Sequence, residues 1–170
     1  MRFLIFSDIH GSIDSVKKII QIFECSNFDK MIILGDILYH GPRNAIPEGY
    51  NPMETANILN KYYDRIIAVR GNCEAEVDQM LLKFPCMGDY ATVFADGKQI
   101  FATHGHIYNP SNMLSLPKDS IFLYGHTHIF ENKKIDGITI CNPGSITLPK
   151  NGNSPTYSII DNGVVSVYEL

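Results

Sequence analysis

The sequence predicts an α/β fold in which two β-sheets pack face to face with helices outside. Three observations predict it. Residues 1–70 alternate short continuous apolar runs with segments of helical spacing, the pattern of a parallel sheet with crossover helices. After Pro85 the rhythm changes to paired apolar runs separated by Asp-Gly or Asn-Gly, the mark of hairpins. Hydrophobic residues make up 45% and charged residues 19%, the balance of a chain that buries a core rather than staying disordered. A length of 170 residues sets the expectation of one domain spanning 1–170.

The elements follow in order. Residues 2–7, rich in Phe and Ile and closed by Asp8, read as a strand buried on both faces. Asp14 precedes Val16, Ile19, Ile20 and Phe23, which is helical spacing with Asp14 as the expected N-cap. Residues 31–34 form a second strand, closed by Gly35-Asp36. The stretch 40–52 is rich in Gly, Pro and Asn and longer than most connections, which hints at a functional loop. A helix is expected over about 53–63, a third strand over 65–70 closed by Gly71-Asn72, and a short helix over 74–82. Beyond Pro85, runs 91–95 and 99–103 flank Asp96-Gly97, and 121–124 is a short strand. Runs 129–135 and 138–141 flank Asp136-Gly137, and 157–160 and 164–168 flank Asp161-Asn162-Gly163. No internal repeat, low-complexity tract or linker interrupts this order.

Several function classes are disfavoured. A net charge of -4 offers no basic surface for a long nucleic acid. The apolar run at the N-terminus is too short for a signal peptide and lacks a cleavage site. No apolar stretch approaches the ~20 residues needed to cross a bilayer, so no membrane partner is expected. The four cysteines, Cys25, Cys73, Cys86 and Cys141, lie far apart without a Cys-x-x-Cys, and read as reduced thiols of a cytoplasmic protein.

Of six histidines, five fall in three short motifs: Asp8-Ile9-His10, His104-Gly105-His106 and Gly125-His126-Thr127-His128. Each fragment alone is weak, because Gly-Asp or Gly-Asn after a strand is often only a turn. Together, Asp8, His10, Asp36, Asn72, His104, His126 and His128 each stand just past an expected strand end. Ligands in α/β sheets bind outside the carboxyl ends of strands, so these residues can converge. Imidazole and carboxylate are the ligand set of borderline and hard divalent ions. The chain reads as built around a metal site, in the two-ion form.

This order of motifs resembles the calcineurin-like metallophosphoesterase superfamily, and more narrowly the YfcE-type bacterial phosphodiesterases. Supporting segments are His40-Gly41-Pro42-Arg43-Asn44, Val69-Arg70-Gly71-Asn72-Cys73, Tyr124-Gly125-His126-Thr127-His128 and Asn142-Pro143-Gly144-Ser145, and the match runs over about residues 1–168. The resemblance implies a four-layer αββα sandwich of two mixed β-sheets flanked by helices. It implies two divalent ions, Mn²⁺ first, with Zn²⁺, Fe²⁺, Ni²⁺ or Mg²⁺ as alternatives. Asp8, His10 and His128 would hold one ion, Asn72, His104 and His126 the other, and Asp36 would bridge them.

The implied activity is hydrolysis of a small phosphodiester by a hydroxide held between two ions ~3.5–4 Å apart. Two carboxylates among neutral ligands leave such a site about +2 in charge, which attracts an anionic ester. After Gly-Asn most superfamily members carry a His credited with protonating the leaving group. Here that position is Cys73, a poorer acid near neutral pH. The YfcE-type relatives share it, and it favours diesters with good leaving groups over monoesters. His106, two residues past His104, is a candidate for substrate contact or proton donation. Arg43 is a candidate for phosphate contact or for pairing with Glu74. His40 is expected behind the ligands. The competing readings are a phosphomonoesterase and a non-catalytic protein-interaction scaffold of the same fold, as in a retromer coat subunit. A homo-oligomer stays open.

Overall fold

The computed structural model describes residues 1–170. Its elements are β1 (Arg2–Phe6), α1 (Ile13–Cys25), β2 (Lys30–Ile33), α2 (Pro52–Leu59), β3 (Ile66–Ala68), α3 (Glu76–Leu81), β4 (Tyr90–Ala95), β5 (Lys98–Thr103), β6 (Ile121–Leu123), β7 (Phe130–Ile135), β8 (Ile138–Pro143), β9 (Thr156–Asp161) and β10 (Val164–Glu169). They form two five-stranded mixed sheets, ordered β10-β9-β1-β2-β3 and β4-β5-β6-β8-β7. In the first, β1, β2 and β3 are parallel and β9 runs antiparallel to β1. In the second, β5, β6 and β8 are parallel, with β4 and β7 antiparallel at the edges.

The period of two along a strand explains why the central strands read as unbroken apolar runs. Leu4 and Phe6 of β1, with Met31 and Ile33 of β2, face the helices and pack with Val16, Ile19, Phe23, Ala56 and Leu59. Phe3 and Ile5, with Ile32 and Leu34, face the other sheet and meet Ile100, Ala102, Ile121 and Leu123. The helices all lie on the first sheet's side of the sequence, between residues 13 and 81. On the outer face of the second sheet, Phe101, Phe122, Tyr124 and Ile140 are covered by Tyr108, Met113 and Leu116. Those come from the irregular stretch 105–119, so this outer layer is coil rather than helix.

Two local expectations shift. The N-cap of α1 is Ser12, whose Oγ accepts the Ser15 N–H at 3.4 Å. Asp14 sits instead in the first turn, where a carboxylate favours the positive end of the helix. The helix expected over 53–63 ends at Leu59 and gives way to a 3-10 segment, Asn60–Arg65, in which Tyr62 leaves helical geometry (φ −117°, ψ 22°). No helix is long and apolar enough to cross a membrane.

Ile32 is fully buried between the sheets. Ile32→Ala should destabilise the fold by about 2–5 kcal/mol in urea titrations. Phe94→Ala, at a side chain 74% exposed, should stay within about 0.5 kcal/mol.

Candidate metal centre

Beyond their last paired residues, the parallel strands keep exchanging backbone hydrogen bonds. The Asp8 N–H donates to Gly35 O at 3.2 Å, and His10 N–H to Asp36 O at 2.9 Å. In the second sheet the Gly125 N–H donates to His104 O at 2.7 Å. The loops after β1, β2, β5 and β6 are thereby locked side by side.

Ten residues other than glycine have positive φ. Five are Asp or Asn in turns: Asp96, Asp119, Asp136, Asn151 and Asn162. The other five are Asp8, His10, Asp36, His126 and His128, all expected site residues, with φ between 49° and 68°. Left-handed backbone at a non-glycine residue costs of order 1–3 kcal/mol and persists where function requires it. Glycine is needed at two neighbouring positions for a different reason. A Cβ at Gly71 would collide with the Asp36 carboxylate, and one at Gly125 with Ser7 beside Asp8.

Three imidazoles are anchored in the same way. Nδ1 of His10 lies 2.8 Å from Tyr39 O, that of His104 2.6 Å from Leu34 O, and that of His128 2.6 Å from Leu148 O. A carbonyl can only accept, so Nδ1 carries a proton and each Nε2 faces inward. There, His10 Nε2 and His128 Nε2 face each other at 3.3 Å. His128 Nε2 is 3.3 Å from Asp8 Oδ1, and His104 Nε2 is 3.1 Å from Asn72 Oδ1 and 3.4 Å from Asp36 Oδ1. Asp8 Oδ1 is buried with no hydrogen-bond partner. This convergence of carboxylate oxygens and imidazole nitrogens fits a cation. The ligand atoms of Asp8, His10 and His128 lie within 4.8 Å of one another, as do those of Asp8, Asp36 and His104.

The ionisation pattern agrees. Burial alone would raise Asp8 and Asp36, but the imidazoles around them hold both carboxyls below the usual range. Burial lowers His10 and His126 toward the neutral form that ligates. Burial also opposes charge on His104, yet the Asp36 carboxylate bonded to it outweighs this and holds the imidazole up at about 9. In the absence of a metal, a proton supplies part of the positive charge the site lacks.

The remaining expected residues fall around this cluster. The His126 N–H donates to Asp8 Oδ2 at 3.1 Å, and its ring lies 5.1 Å from that of His104. The His106 ring is 5.3 Å from His104 and 6.3 Å from His126, with Nδ1 unpartnered, and burial lowers it. The Cys73 N–H donates to Asp36 Oδ1 at 2.9 Å, and burial, then the Asp36 charge, push its thiol well up. His40 packs edge-on between Tyr39 and Tyr50.

Arg43 is exposed and lines a cavity of about 620 Å³ together with Asp36, Asn72, His126 and Lys150. Of its two candidate roles, the pairing with Glu74 is not made. The Glu74 carboxylate is occupied by backbone, accepting N–H groups from Ile37 at 2.6 Å, Asp36 at 3.0 Å and Gly71. Burial and then the charge of Asp36 raise it to about 7.

Sequence reasoning gave no role to Asn142, Ser145 or Thr147, and offered Glu74 only as a partner for Arg43. Ser145 Oγ donates to Asp8 O at 2.8 Å, Thr147 Oγ1 to Ile9 O at 2.9 Å, and Asn142 Nδ2 to Gly125 O at 2.9 Å. These side chains hold the ligand loops by their backbone. The only sequence signal was their place in the Gly-Asn-Cys-Glu and Asn-Pro-Gly-Ser segments.

The model of the calcineurin-like phosphoesterase superfamily domain matches residues 1–163. The chain belongs to that superfamily. It is 44% identical to Phosphodiesterase YfcE of Escherichia coli K12 over 170 residues, covering all of this chain and 92% of the relative. It is 28% identical to the phosphodiesterase MJ0936 of Methanocaldococcus jannaschii, over 95% of this chain and 93% of that one. The solved structure of YfcE, described as a phosphoesterase from E. coli, superposes with a TM-score of 0.97 at 43% identity, over 99% and 93% of the two chains. Vps29 of Chaetomium thermophilum shares the fold, with a TM-score of 0.64 at 15% identity, over 94% of this chain and 81% of that one.

Membership and geometry together predict divalent-ion binding. Chelator-treated protein should gain thermal stability when a divalent ion is added, by about 2.7 kcal/mol at 100 times the Kd. Asp8→Asn should remove most of that gain in calorimetry. Because His104 holds its proton up to about 9, ion uptake at pH 7 should release protons. Apparent affinity should therefore rise from pH 6 to pH 9.

Proposed function

We propose that the protein is a metal-dependent phosphodiesterase that hydrolyses a small phosphodiester at a two-ion site. The observation that carries this reading is the buried convergence of Asp8 Oδ1, left without a hydrogen-bond partner, and the Nε2 atoms of His10, His104 and His128 on one point. The 44% identity to a named phosphodiesterase supports the diester over other phosphoesters.

In this reading Asp8, His10 and His128 hold one ion and Asn72, His104 and His126 the other. Asp36 spans both, consistent with Oδ1 lying 3.4 Å from His104 Nε2 and Oδ2 lying 3.8 Å from His10 Nε2. Mn²⁺ is the proposed ion. Bound there, the pair would supply Lewis acidity to the phosphoryl oxygens and a strong nucleophile at neutral pH.

The chain's own residues do the rest. Tyr39, Leu34 and Leu148 carbonyls orient the imidazoles, and Ser145, Thr147 and Glu74 hold the loops that carry Asp8 and Asp36. Arg43 and Lys150 bring two cations to the cavity, suited to the non-bridging oxygens of a phosphate anion. Cys73 stands at the wall of that cavity as a neutral thiol. A thiol raised so far donates a proton poorly, which favours leaving groups that depart without one.

On metal-stripped protein, added Mn²⁺ should restore hydrolysis of an aryl diester well above that of the matching aryl monoester. Ser145→Ala should lower diester activity by about 10–100-fold, and Asp36→Asn by more. A monoester preference, or Mn²⁺-independent activity, would overturn the reading. Cys73→His should raise rates on alkyl leaving groups, by up to about 10²-fold. Unchanged rates would show that Cys73 has no bearing on departure.

A further inference from the structure

Beside the polar cavity lies a second cleft of about 360 Å³, walled mainly by Leu38, Tyr39, Tyr50, Cys73, Val77 and Leu81. Tyr39 and Cys73 belong to the walls of both, so the apolar cleft continues the polar cavity across the Cys73 thiol. The two differ in chemistry. The polar cavity presents Arg43, Asn44, Asn72 and Lys150. The charged side chain in the cleft wall is Asp78, and its carboxylate is already engaged with the Ala75 N–H at 2.7 Å, at the start of α3. Yet the cleft stays open to solvent, with Tyr39 41% and Val77 58% exposed. Open apolar surface bordering a polar site is characteristic of ligand recognition, and this volume is at the lower end of the ~300–1,000 Å³ that small-molecule pockets span.

We infer that this cleft receives one uncharged apolar ester group of the diester, the size of a single aryl ring, while the phosphate occupies the polar cavity. The inference rests on the phosphodiesterase reading and narrows its substrate class. It makes Val77 and Leu81, apolar side chains on α3 a few residues past Asn72, determinants of specificity.

The test is calorimetric binding of phenylphosphonate and methylphosphonate to the Mn²⁺-loaded protein, beside hydrolysis of bis(4-nitrophenyl) phosphate. The wild type should bind the phenyl compound about ten-fold or more tightly, the discrimination an apolar pocket gives. Val77→Asp, and the milder Val77→Ser, should bring the ratio toward one. A merely structural disturbance would weaken both ligands by the same factor and keep the ratio. Equal affinities in the wild type, or a ratio retained in both variants, overturn the cleft assignment while leaving the phosphodiesterase reading intact. Absence of Mn²⁺-dependent diester hydrolysis overturns that reading, and the ester-group assignment with it, even where the phenyl preference holds.

Discussion

Asp8 and Asp36 are carboxylates with almost no exposure, set within reach of one another and of three imidazoles, those of His10, His104 and His128. Burying two like charges costs several kcal/mol per ion unless opposite charge is held beside them. The structure around them supplies only part of that charge. His104 keeps a proton to about 9, and His10 and His126 are driven neutral by burial. What remains is an unfilled demand for positive charge at a point where several lone pairs meet. Members of a metallophosphoesterase superfamily meet that demand with divalent ions, and the anchored imidazoles here are oriented for it before any ion arrives.

The site straddles the two sheets, so its geometry depends on how the sheets pack. Asp8, Asp36 and Asn72 follow strands of the first sheet, and His104, His126 and His128 follow strands of the second. The apolar layer of Phe3, Ile5, Ile32 and Leu34 against Ile100, Ala102, Ile121 and Leu123 sets the distance between them. Polar ties then fix the register at the strand ends: His104 to Leu34 O, the His126 N–H to Asp8, and Ser145 to Asp8 O. Close packing transmits small displacements, so a void in this layer would be felt at the strand ends that carry these side chains.

Around this centre the surroundings divide by chemistry. One side is polar and cationic, with Arg43 and Lys150, and the other is apolar, with Val77, Leu81 and Tyr50. Cys73 stands where they meet. Gly41 approaches its thiol so closely that a Cβ there would lie 3.1 Å from Sγ. The loop 40–52, noticed in the sequence for its length, therefore shapes the surroundings of Cys73.

The strand order of the first 70 residues, the three hairpins and the strand-end placement of Asp8, His10, Asp36, Asn72, His104, His126 and His128 were legible from the sequence alone. Alternation, turn residues and strand-end placement are local signals, and they survive without knowledge of partners. The N-cap at Ser12 rather than Asp14, and the break at Tyr62, were lost because both are settled by a single turn of backbone. The return of β9 to lie beside β1, and the parallel joining of β5, β6 and β8, were settled only by the tertiary structure, since a short apolar run does not name its neighbour. The same holds for Glu74, Asn142 and Ser145, which act on backbone groups far away in sequence, and for Arg43, whose expected partner was already bound. The sequence determined which groups could carry the chemistry. The fold decided which atoms face one another, because that depends on sheet pairing and on the left-handed turns at Asp8, His10, Asp36, His126 and His128.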